Sequence, residues 1–506
     1  MYIPNAQTLE SLELANQVQA HLDLMMSTIR DSADRWEAHE AEGFTLERVM
    51  KIGRMAMREY FRVKGEGNVG PTLRDDDGTV YRRDSRRDRT YFSIFGKVGV
   101  TRLSYRAEDV SEAVYPLDAM ANLPERQYSY PLQERIALAS QSGAYKEELK
   151  KLNEFTGIQI SDSVAQTVAA EAGRHFDSYY QRKAPPKAAS DWDVLAVSFD
   201  GKGVPMLASE VAKTKSKEGA AGTKKMATVG VCYDTPMKDR DAKTIAGNMV
   251  YHKKNQQRRA SEADGDSPEA TREKVVRAYN MRRMASIERP REEVFDAIEK
   301  EALARDPHRQ RPLAILVDGE HALAREATRR FSTWLEVFLI LDLIHVLGYL
   351  WPVAAAFCGE GDANKEARQA FVYERLLKIL NGRAGHVAGG LQSAMTKRRL
   401  TGKARKTVAS CVTYFRNHLH MMRYDDYLHW GLPIATGVVE SACGSVVQHR
   451  MEGQGKRWTR DGAEAILRLR SLRSSDGDWS GYFAQYPSHE LTRIHSKTRR
   501  MLNKAA

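Results

Sequence analysis

Cysteine is scarce. The four residues, Cys232, Cys358, Cys411 and Cys443, lie far apart in 506 and form no CxxC pair. That argues against a disulfide framework and a zinc knuckle, and reads as the reduced thiols of a cytosolic chain. The opening residues, MYIPNAQTLESLELANQ, lack the basic start and apolar run of a secretory leader. Long hydrophobic runs are also few. The most apolar window, Trp334 to Phe357, carries Glu336, Asp342 and His345 and is interrupted by Gly348 and Pro352, so it reads as buried core and not as a membrane span. Acidic residues number 66 against 78 basic ones, a net charge of +12. Such an excess favours a polyanionic partner, nucleic acid first. A chain that is 42% hydrophobic and 28% charged is mostly foldable, and its length suits about two to four domains.

Hydrophobic periodicity divides the chain. Residues 8–64 read as helices, with a break at Gly43 and a second helix from Leu46 to Val63. The face they share is either plain packing or a dimerisation arm. Arg82, Arg83, Arg86, Arg87 and Arg89 then form a basic run, followed by a β-hairpin signal around Gly96-Lys97. Those arginines read equally as phosphate contacts and as a solvated face. Lys146 to Phe155, a Thr156-Gly157 break and a helix capped by Ser161 give a helix-turn-helix outline. Past Ala184–Lys187 the period changes to strands: Val194–Phe199, Val204–Leu207 and Met226–Tyr233, read as a meander. Residues 235–275 read as a mobile polar loop and Arg272–Ala304 as helical, broken near Pro290. Then follow a strand at 313–317, a helix at 321–331 and a strand at 335–341. Helices continue to about Arg423, and a helix opening at Thr436-Gly437 carries Glu440. The tail after Leu491 is basic, with the look of a frayed end.

Three acids stand out in this order. Asp200 ends the first strand after the linker, Asp318 follows the strand at 313–317, and Glu440 lies in the last-named helix. Strand ends of open α/β sheets are where ligands gather. Three carboxylates from distant positions suit two hard cations, Mg²⁺ first and Mn²⁺ as a substitute, placed for phosphoryl transfer. The element order fits an α+β or α/β fold: an RNase H-like mixed sheet flanked by helices, with a helical insertion before the last catalytic helix and a mainly helical N-terminal DNA-binding region. Each acid also has an ordinary reading: Asp200-Gly201 and Asp318-Gly319 as turns, Glu440 as a partner of the helix dipole. Asp342 ends a strand too. Asp318 is preferred because its strand comes first after the long helix.

Four blocks then carry a resemblance: SFDGKGVPM, LAILVDGEHAL, LDLIHVLGYLW and GVVESACGSVVQHRMEGQGKRWTRDGAEAILRLRSLRSSDGDW. Together they resemble bacterial insertion-sequence DDE transposases of the ISKra type, in the Mutator-like group, strongly over residues 190–482 and loosely before that. The resemblance implies Asp200, Asp318 and Glu440 as the metal-binding triad, with Asp342 and His345 accessory in an Asp-x-x-His signature. It implies that water opens a phosphodiester at the element's end and that the freed 3′-hydroxyl attacks target DNA, with no covalent enzyme intermediate. Transposon ends and target DNA are the implied partners of a homo-oligomer in the bacterial cytoplasm, at the nucleoid, with no membrane role. Arg82, Arg83, Arg86 and Arg87, together with Arg450, Lys456, Arg457 and Trp458, are the candidate DNA contacts, although Trp458 also fits plain core. Two other readings stay open: a catalytically inactive DNA-binding regulator on the same fold, and a metal-dependent nuclease without strand transfer. The expected segments are a helical arm (1–64), a basic loop and hairpin region (65–130), a helix-turn-helix-like region (131–183), a catalytic domain (190–345 with 431–482), a helical insertion (346–430) and a basic tail (483–506).

Overall fold

The computed structural model describes residues 6–211, 224–251, 278–435, 437–453 and 455–505. The chain forms two compact units, Met1–Gln181 with Ser480–Ala506, and Arg182–Trp479. Residues 212–223, residues 252–277 of the expected polar loop, and Thr436 at the expected start of the Glu440 helix lie outside the described residues.

The first unit begins with helices Ala6–Ser32 and Ala38–Lys64. The break falls before Ala38 and not at Gly43, because Glu37 and Glu40 cap the second helix reciprocally, Glu37 N donating to Glu40 Oε2 at 2.9 Å. An antiparallel sheet follows: β1 (Thr72–Arg74), β2 (Val80–Ser93), β3 (Gly96–Ala107) and β4 (Val110–Val114). The basic run is therefore strand and not loop. β2 pairs with β1 and β3 through it, and a bulge at Asp84-Ser85 is tied to Ser104 Oγ. Helices Tyr145–Thr156 and Asp162–Ala172 appear as expected. Gly157 closes the first in the left-handed conformation, and Ser161 Oγ caps the second by accepting from Val164 N. The tail is not frayed but helical to Ala505. Within it Glu490 is buried. Burial alone would push its carboxyl up, yet hydrogen bonds from His175 (2.6 Å) and a bidentate Arg493 (2.7 and 2.9 Å) outweigh that and hold it at about 2.

The second unit is built on a five-stranded sheet of order β7-β6-β5-β8-β9. Its strands are β5 (Val194–Pro205), β6 (Lys224–Thr235), β7 (Tyr279–Ser286), β8 (Leu313–Val317) and β9 (Val337–Leu341). β5, β6 and β7 run antiparallel in sequence, while β8 and β9 run parallel to β5. The two strands expected at 194–199 and 204–207 are one, since β6 pairs along all of β5 and carries Asp200-Gly201 as strand. The third strand is Tyr279–Ser286, expected as helix. Arg282 and Arg283 hide its alternation, and pairing with β6 decides its conformation. Helix Arg291–Arg305 packs on β6 at Gly230, where a Cβ would come within 2.7 Å of Ile298. β8 is buried at every residue, as a parallel strand covered on both faces must be. After β9 come helices Leu343–Cys358, Lys365–Leu380, Ala384–Lys397, Gly402–His418 and Tyr424–His429. Among the described residues no single helix is long and apolar enough to cross a membrane.

A buried ion pair sits at the start of these strands. Arg311 donates to Asp234 at 2.7 Å and to the Asp193 carbonyl at 2.9 and 3.0 Å, just before β8 and β5 respectively. Leu195 N then donates to Pro312 O and Leu313 N to Glu336 O, which starts both parallel pairings.

Two measurements test these ties. Arg311→Met leaves Asp234 with Arg305 at 3.3 Å and Asn280 at 2.8 Å, so its charge stays partly compensated; the change is expected to cost about 1–3 kcal/mol in urea unfolding, and no loss contradicts the role given to the pair. Glu490 has a depressed pKa, so its contribution is full above 4.5 and is lost as pH falls toward about 2. Glu490→Gln should therefore be less stable than wild type at pH 7 by circular dichroism, with the gap closing across that window; a gap independent of pH contradicts it.

Candidate metal centre

The register of the parallel strands places the acids. Leu195 pairs with Leu313 and Ser198 with Leu316; Leu313 pairs with Val337 and Val317 with Leu341. Continued past the strand ends, the same register sets Asp318 beside Asp200 and Asp342 beside Asp318. Neighbouring strands are about 4.8 Å apart, so this register assigns the three aspartates to matching positions just past the paired residues.

Each is held by short hydrogen bonds. Asp200 accepts from Gly201 N at 2.6 Å and from the Cys443 thiol at 3.1 Å. Burial and the Asp200 charge push the Cys443 thiol up, so it stays a proton donor. Asp318 accepts from Glu320 N at 2.8 Å. Its carbonyl accepts from Tyr414 Oη at 2.6 Å, and His418 Nε2 lies 3.0 Å from Gly319 O. Gly319 has φ +96°, and a Cβ there would come within 2.9 Å of Tyr414 Oη, so glycine alone suits the turn. Asp342 is fully buried and caps helix Leu343–Cys358, accepting from Ile344 N at 3.1 Å. That helix puts His345 one turn on from Asp342.

Glu440 arrives from helix Gly437–Ala442, which a π-helical turn, Cys443–Gln448, continues. Arg470 donates to Val446 O at 2.8 Å and to Ser445 O, satisfying carbonyls of that turn. Ligand atoms of Asp342, His345 and Glu440 all lie within 4.8 Å of one another. Glu440 faces solvent, yet its carboxyl is raised from the ordinary range, first by partial desolvation, then by the Asp342 and Asp200 charges, with His345 opposing. Two carboxylates and an imidazole in a field that resists ionisation make a donor set that a divalent cation fits. Mg²⁺ and Mn²⁺ suit the oxygens, and the nitrogen favours Mn²⁺.

Of the expected triad, Glu440 lies in this group, while Asp200 and Asp318 lie outside its 4.8 Å limit. Asp200 still contributes to the field at Glu440. Asp342 and His345, expected as accessory, contact the group directly. Cys443, Tyr414 and His418 were missed as site residues; only the one-turn steps from Glu440 to Cys443 and from Tyr414 to His418 hint at them.

The candidate DNA contacts divide. Arg82, Arg83, Arg86 and Arg87 are exposed on β2, with Arg86 2.8 Å from Glu66. Arg457 is exposed and Lys456 half-buried. Arg450 and Trp458, only 2% and 8% exposed, stack on each other at 4.6 Å, and Trp458 Nε1 donates to Met451 O. Both side chains pack beneath the surface, which for Trp458 is the plain-core reading.

Asp342→Asn keeps the helix cap and removes the charge; Glu440→Gln removes the other carboxylate. Each is expected to weaken Mn²⁺ binding, read by electron paramagnetic resonance titration, by more than about tenfold. Unchanged affinity in both variants contradicts the site.

No protein-family model matches the sequence, and no curated protein matches it. Among solved structures, the chain is similar to the Drosophila P element transposase strand transfer complex, with a TM-score of 0.32 and 8% identity over 69% of this chain and 93% of that one. A likeness at that level carries no weight for fold or function.

Proposed function

We propose that the chain is a DDE transposase, which cuts phosphodiesters at transposon ends and joins the freed 3′ ends to target DNA. The observation that carries this reading is the convergence of Asp342, His345 and Glu440, whose ligand atoms lie within 4.8 Å, at the row that Asp200 and Asp318 share. Further support comes from the element order. A three-strand antiparallel run is followed by two parallel strands, then a helical insertion and the Glu440 helix. That is the order an RNase H-like catalytic domain requires of this sequence. The four blocks of residues that resemble ISKra-type transposases fall on the same elements.

In this reading Asp200, Asp318 and Glu440 hold Mg²⁺ or Mn²⁺, two ions in all, and Asp342 and His345 share in the binding. When bound, such ions supply Lewis acidity and an activated water. The chain's own residues position the acids. Cys443 and Gly201 N fix the two oxygens of Asp200. Tyr414 and His418 fix the carbonyls of the Asp318-Gly319 turn. Burial keeps water from competing for Asp342. Arg82, Arg83, Arg86, Arg87, Lys456 and Arg457 offer charge to DNA phosphates, and a homo-oligomer that brings two ends together belongs to the same reading.

The test uses the full chain, Mg²⁺ and duplexes from the ends of the DNA element that encodes it. Cut and joined products are expected from wild type, and neither from Asp318→Asn or Glu440→Gln. Cuts without joined molecules point instead to a nuclease, and end binding without cuts to a regulator; either result overturns the transposase reading.

A further inference from the structure

A cavity of about 710 Å³ opens between helices Leu343–Cys358 and Gly402–His418, and His345 and Glu440 form part of its wall. Its volume is that of a small-molecule site, too small for a double helix and of a size with one nucleotide. Its lining is divided by chemistry. Tyr349 and Pro352 give an apolar wall, and Tyr349 is held rigid by a stack on Tyr414, with centroids 3.9 Å apart and planes 14° from parallel. Lys406 and Ser410, both exposed, give a cation and a hydroxyl on the facing helix. Lys403 and Arg405 add exposed positive charge on the same turn, and among the described residues none of Lys403, Arg405 and Lys406 makes an ion pair. The wall at Gly348 is open: no heavy atom lies within 4 Å of where its Cβ would stand.

We propose that this cavity takes one unpaired nucleotide of a DNA strand. The base lies against Tyr349 and Pro352, and its phosphate sits at Lys406, with the strand leaving over Lys403 and Arg405. An aromatic wall accepts any base by its π-face, and neighbouring cations track the backbone. A nucleotide drawn out of the stack costs least where the duplex is already open or cut, so this pocket selects unpaired ends beside the carboxylate cluster. The proposal rests on the nucleic-acid reading of the site but not on strand transfer.

The experiment is photo-crosslinking of the full chain, in Ca²⁺, to a short single-stranded oligonucleotide carrying one 5-iodouracil, mapped by mass spectrometry. The expected product joins the base to the peptide containing Tyr349. Gly348→Leu fills the cavity at a helical position that favours leucine over glycine, so the fold survives it. It should lower that crosslink at least about tenfold, and Lys406→Met should lower it about threefold, as loss of one phosphate contact does. Asp342→Asn should retain the crosslink. Its persistence when no variant, wild type included, cuts DNA would sink the transposase reading and leave the pocket standing. A crosslink at Tyr349 that Gly348→Leu does not reduce, or none there from a protein that cuts transposon ends, overturns the proposal.

Discussion

The in-register parallel pairing of β8 with β5 on one side and β9 on the other is the constraint on which the site depends. Side chains alternate between the two faces of a strand, so a slip of one residue would send every one of them to the opposite face. Here a slip would also break the row of Asp200, Asp318 and Asp342. The register is set at the other end of the strands, by the buried Arg311–Asp234 pair and the first ladder bonds from Leu195 to Pro312 and from Leu313 to Glu336. A pair this deeply buried contributes less to net stability than to choosing one arrangement over its neighbours. Charge at one end of the sheet thus positions charge at the other.

Gathering carboxylates is unfavourable, and the surroundings offset part of that cost. Asp200 draws on Gly201 N and the Cys443 thiol, Asp318 on Glu320 N, and Asp342 on Ile344 N. Charge-assisted bonds of this kind are stronger than neutral ones. Glu440 stays at the solvent edge with its carboxyl raised. The π-helical turn after it, braced by Arg470, brings Cys443 back to Asp200 from the same helix. These bonds tie down the three aspartates, while Glu440 stays at the solvent edge.

Asp318 and Asp342 were legible in the sequence because each ends a short, wholly apolar run, the mark of a buried parallel strand. Glu440 was legible from the apolar side of its helix. That ligand atoms of Asp342 and His345, expected only as accessory, lie within 4.8 Å of those of Glu440 was not legible, since strand order gives no register. β7 was hidden because Arg282-Arg283 interrupts its alternation and its conformation is decided by β6. The Asp200-Gly201-Lys202-Gly203 stretch mimics a turn in every local respect, yet β6 pairs along its whole length. Composition cannot tell a buried cation–π pair such as Arg450 and Trp458 from an exposed one.

The central claim is that one cation-binding centre joins these separated acids. Iron-mediated cleavage of the polypeptide tests it most directly: Fe²⁺ loaded in place of the native ion, with ascorbate and peroxide, cuts the backbone near its ligands. The account predicts cuts close to Asp200, Asp318, Asp342 and Glu440 together, suppressed by Mn²⁺. Cuts confined to other parts of the chain, or indifferent to Mn²⁺, would contradict it.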